Sequence, residues 1–213
     1  MTCSPGNILK YFVSKPFTVL PAVVAAVVAG QTRQAHAHLV STDLGPFYDG
    51  AAHSLVSPQD LLTILGFAIL AAHHGTTAGR RLVFTLTLAW AVGAAAGFAL
   101  MVGEMEVPIA TASVILLLGV TRLVQAPVPT GGLLSAAAVI GLIRGFSNGA
   151  AALAADGQWL SVVGIVLGVF VLGSLLAGFS TWLEMHRAAV VLRVMGSWIA
   201  AIGLLMLGWE LRG

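Results

Sequence analysis

Six long apolar stretches, at residues 60–75, 82–102, 107–124, 131–154, 159–182 and 189–211, fill almost all of the chain beyond residue 59. Few charges interrupt them. Only 8% of the 213 residues are charged and 58% are hydrophobic, against about 25% charged in a soluble domain. So few charges cannot cover the surface of a water-soluble fold of this size. The solvent facing much of the chain is therefore lipid. The expected fold class is all-α, an integral membrane bundle of six transmembrane helices.

The residues ahead of the first stretch read as an address. Lys10 and Lys15 form a positive region, residues 17–30 an apolar run, and Ala35-His36-Ala37 a small-x-small cleavage signature. The run is shorter than the roughly 20 residues needed to span a bilayer. Residues 1–37 are therefore expected to be a cleaved secretory signal peptide, with His38 as the mature N-terminus. A retained anchor is the competing reading, and both place the following chain on the far side of the membrane. Residues 38–59 then form a polar, turn-rich periplasmic segment, and residues 60–213 the six-helix domain. The lone cysteine, Cys3, falls in the removed part, which leaves no thiolate chemistry.

Arginine placement gives an independent orientation. With the mature N-terminus outside, the inner loops at 76–81, 125–130 and 183–188 and their flanks hold Arg80, Arg81, Arg122, Arg187 and Arg193. The outer loops hold Glu104, Glu106 and Asp156 and no Lys or Arg. This is the positive-inside pattern. It places both the mature N-terminus and the C-terminus on the outer side of the membrane. No basic run resembles a nucleic-acid footprint. Glycine rows at Gly93/Gly97, Gly141/Gly145/Gly149 and Gly164/Gly168 have the small-xxx-small spacing that lets helices approach closely in lipid.

The informative residues are the polar ones at membrane depth, where an ionisable group is costly unless paired or wet. On the outer side, His38, Asp43, Asp49, His53 and Asp60 lie within 23 residues. Imidazole with carboxylate suits a borderline divalent cation such as nickel or zinc. His38, His53 and Asp60 are the candidate metal ligands, His38 adding its free amine to its ring. Pro58 is expected to start the first helix and interrupt any continuous face between His53 and Asp60. The alternative is structural: Asp60 near a helix N-terminus is stabilised by the dipole without a ligand.

In the fourth apolar stretch Arg144 sits near the middle, with Asn148 one turn further on the same face and Ser147 adjacent. An arginine this deep requires a carboxylate or carbonyls. Asp60 is the best carboxylate, because Glu104, Glu106 and Asp156 belong to loops. The pair reads either as a polar pathway or as a buried ion pair that fixes helix register. His73 and His74, at the inner end of the first helix, could receive a cation there or sit as interfacial residues at a helix C-terminus. No nucleophile or base is spaced for hydrolysis, so an enzyme is not expected, and no resident cofactor is implied.

The order of these features, with Gly-Pro-Phe-Tyr-Asp-Gly-x-x-His at residues 45–53, Asp60 after it, and Gly-Leu-Ile-Arg-Gly-Phe-Ser-Asn-Gly at 141–149, resembles the HupE/UreJ family of hydrogenase and urease accessory membrane proteins. The resemblance implies a small permease carrying nickel, or in some members cobalt, to metalloenzyme assembly. Its partners would be the bilayer, the divalent ion and metalloenzyme maturation proteins. The family's helix 1 motif, His-Pro-x-x-Gly-x-Asp-His, is matched in type by His53 and Asp60, with one extra residue between them; Ser54 stands for the Pro and Leu61 for the second His. Its helix 4 motif, His-Gly-x-x-His-Gly with a following Glu, is matched by Gly145 and Gly149. Arg144 and Asn148 stand at its histidine positions, and no acid follows within the helix. Two readings follow: a divalent-metal permease, or a non-transporting accessory or scaffold protein.

Overall fold

The computed structural model describes residues 43–100, 107–155, 157–186 and 188–212. The described residues form helices and short connections, with no strand among them. In chain order the helices are α1 (Pro46–Val56), α2 (Pro58–Ala72), α3 (Thr76–Ala99), α4 (Pro108–Leu123), α5 (Thr130–Ala155), α6 (Trp159–Met185) and α7 (Ala189–Glu210). The signal peptide with its cleavage point and His38 lie outside the described residues, as do Glu104, Glu106, Asp156 and Arg187.

Every expected apolar run is a helix, but the span count differs. α3, α5, α6 and α7 are each long and apolar enough to cross a membrane. α1 and α2 qualify only as one broken span, bent by 64°. α4 has 16 residues, which at about 1.5 Å each falls short of a hydrocarbon core of about 30 Å. Among the described residues, four helices qualify as spans by length and composition, or five with the bent pair, against the six expected.

Two boundaries need correction. Residues 46–56, expected to be turn-rich, are helical. Pro46 opens α1 at a position where its missing N–H costs nothing. The helix is held by packing: Gly50 lies against the Ser161 backbone, and Gly164 of α6 against Phe47 and Ala51. Residues 76–81, expected to be a loop, are the first turns of α3. The turn from α2 needs only residues 73–75, because Gly75 takes a φ of 83°, which costs a glycine little. Arg80 and Arg81 remain exposed on the helix, as long cationic side chains reaching toward an interface do.

The helices assemble as three tight pairs around α2. α3 packs on α5, α4 on α7 and α1 on α6, while α2 touches all the other helices. In lipid no hydrophobic effect drives helices together, so close approach of small residues does the work. A Cβ on Gly145 would meet the Trp90 carbonyl, one on Gly149 the Ala94 carbonyl, and one on Gly119 the Ala200 amide. Large side chains fill what remains: Phe67 of α2, Trp90 of α3 and Ile165 of α6 are fully buried in one cluster. α2, buried along most of its length, carries polar groups at both ends.

Candidate functional site

The N-terminal end of α2 is built by a helix break. Ser57 has an extended backbone, and its hydroxyl accepts from the Asp60 amide at 3.4 Å. Pro58 follows as the first residue of α2. Ser57 thus caps α2, and Asp60 falls in its first turn. There the helix dipole favours a carboxylate. Asp60 is wholly buried, among helices rather than in water.

Three side chains converge on that carboxylate. Arg144 donates to Asp60 Oδ1 from Nη2 at 2.6 Å and from Nε at 2.9 Å. Asn148, one turn along α5, donates from Nδ2 to Oδ2 at 2.8 Å. His53 Nε2 stands 3.8 Å from Oδ2. His53, Asn148 and Arg144 are 6%, 3% and 7% exposed. The group therefore ties α1, α2 and α5 together away from water. Arg144 and Asp60 pair as opposite charges.

Pro58 does interrupt the helix, but the interruption does not separate His53 from Asp60. The bend brings the imidazole back over the first turn of α2.

As a cation site the cluster is incomplete in its described part. His53 and Asp60 supply two donors, and among the described residues no group of three His, Cys, Asp or Glu side chains could hold a metal ion. Arg144 cannot lose its proton to become a ligand, and it occupies one carboxylate oxygen while Asn148 occupies the other. Arg144 thus holds the position that a cation bound to Asp60 would take.

The C-terminal end of α2 carries a second cluster. Glu184, near the end of α6, accepts from Arg122 Nη2 at 2.6 Å and lies 3.3 Å from His73 Nδ1. Arg122 is 2% exposed, whereas the His73 side chain is 57% exposed. His74 stacks edge-on to His73 and joins Arg122 in lining a small crevice. Each end of the central helix thus has one carboxylate shared by an arginine and a histidine. Sequence reasoning missed Glu184. The usable signal was an acid at the end of the fifth apolar stretch, close in sequence to Arg187 and Arg193.

A family model described as HupE / UreJ protein matches residues 24–206, most of the chain. Neither a curated protein nor a solved structure matches it.

Proposed function

From the premise that this chain belongs to the HupE/UreJ family, which is linked to nickel and cobalt accessory function for hydrogenase and urease, we propose that it is a divalent-cation permease of the bacterial inner membrane, with nickel as cargo. The observation that carries this reading is the convergence of His53 and Asp60 at a buried helix break, 3.8 Å apart. Broken helices beside polar side chains are a recurring way to build ion sites within a membrane. A neutral imidazole and a carboxylate form a donor pair suited to nickel. His38, at the expected mature N-terminus, is the additional donor from the periplasmic side.

Arg144 then acts as a resident cation. It pairs with the buried Asp60 while no metal is present, which avoids the large cost of an unpaired charge. Nickel arriving at His53 and Asp60 displaces the guanidinium, which turns to backbone carbonyls and pairs with Asp60 again when the ion leaves. His73, His74 and Glu184 form the inner polar station. Counting the bent α1–α2 pair and the short α4 as crossings gives six spans, with both termini periplasmic.

One observation favours a second reading. Both Asp60 oxygens already have partners, and the family's helix 4 histidines are replaced. In a non-transporting accessory or scaffold protein, the Arg144–Asp60 pair would simply fix helix register. Nickel accumulation in cells expressing the full chain separates the two. Transport predicts accumulation above the vector control, lost in His53→Ala. A scaffold predicts no accumulation and co-purification with a maturation protein.

A further inference from the structure

The first turns of α3 carry polar residues that neither cluster uses. Thr77, Arg80, Arg81 and Thr85, with Phe84 and with Leu134 of α5, line an open cleft of about 490 Å³. Arg122 and Arg144 each meet a carboxylate. Among the described residues, Arg80 and Arg81 have none, so the cleft holds two uncompensated positive charges beside two hydroxyls. The guanidinium fork matches phosphate oxygens in pairs.

The surface below the cleft indicates what the phosphate is attached to. At successive four-residue steps from Arg80 come Phe84, Leu88 and Val92, which lie along one face of a helix. They are 62%, 67% and 55% exposed. A cationic recess at one end of an apolar ridge fits a molecule with an anionic head and a hydrocarbon tail. A free anion would use the recess and leave the ridge uncovered.

We propose that the Thr77/Arg80/Arg81/Thr85 cleft binds the phosphate of an anionic phospholipid, with an acyl chain along Phe84, Leu88 and Val92. The site is independent of the proposed transport function. Bound lipid would brace the α3–α5 pair, whose α5 carries Arg144.

The test is lipid retention by the detergent-purified full chain, read by native mass spectrometry during titration with phosphatidylglycerol or phosphatidylcholine. Arg80→Gln/Arg81→Gln removes both charges at exposed positions. Arg193→Gln, at another exposed arginine on the same inner side, controls for general interfacial charge. Each arginine near an anionic surface contributes enough that losing both weakens phosphatidylglycerol binding about tenfold or more. The double variant should therefore lose its preference over phosphatidylcholine, and Arg193→Gln should keep it. An unchanged preference in the double variant, or an equal loss in Arg193→Gln, overturns the site. Full displacement of phosphatidylglycerol by millimolar inorganic phosphate overturns the lipid assignment in favour of a free-anion site.

Discussion

Arg144 donates twice to one oxygen of Asp60, from Nη2 at 2.6 Å and Nε at 2.9 Å, between two helices distant in sequence and with both groups buried. Such a pair holds each charge only through the other. Removing one partner strands the second in a medium that cannot solvate it.

Asp60→Asn should therefore destabilise the protein by about 3–5 kcal/mol. Replacing both groups with apolar residues, Asp60→Leu/Arg144→Met, should recover much of that loss. Thermal unfolding of the wild type, Asp60→Leu, Arg144→Met and the double variant in one detergent closes the double-mutant cycle. Additive losses would show that the pair is not coupled.

The Glu184 cluster predicts an ordering rather than a single value. Glu184→Gln leaves the buried Arg122 without its carboxylate and should cost roughly 2–4 kcal/mol. His73→Ala breaks only a contact of a half-exposed side chain and should cost less than about 1 kcal/mol. Equal losses, measured by thermal unfolding, would place His73 within the structural core of the cluster.

Glycine packing gives a pair of opposite outcomes. A methyl group at Gly149 would collide with the Ala94 backbone, whereas nothing lies within 4 Å of a Cβ at Gly178. Gly149→Ala must push α3 from α5 and should cost about 1–3 kcal/mol. Gly178→Ala, on the exposed face of α6, should be neutral or stabilise by up to about 1 kcal/mol. Melting temperatures of the two variants check the sign of each.

Much of this arrangement was legible in the sequence. The apolar runs marked the helices. The depth of Arg144 demanded a partner, and Asp60 was the acid left once the loop carboxylates were set aside. Other parts were not legible, for specific reasons. α1 is short and polar on one face, and its helix exists because Gly50 and Gly164 let it lie against α6. The bend at Ser57–Pro58 has an angle that a proline alone does not specify, so the approach of His53 to Asp60 could not be read from a seven-residue spacing. Glu184 went unnoticed because orientation is read from Lys and Arg, and acids carry little weight in that rule.

The central claim is that His53 and Asp60 bind a divalent cation in competition with Arg144. Nickel titration of the purified full chain by calorimetry tests it most directly. His53→Ala leaves the Arg144–Asp60 pair in place and should weaken binding by about tenfold or more, the loss of one imidazole donor. Arg144→Gln removes the competing cation and should tighten binding. Nickel affinity unchanged in both variants would contradict the account.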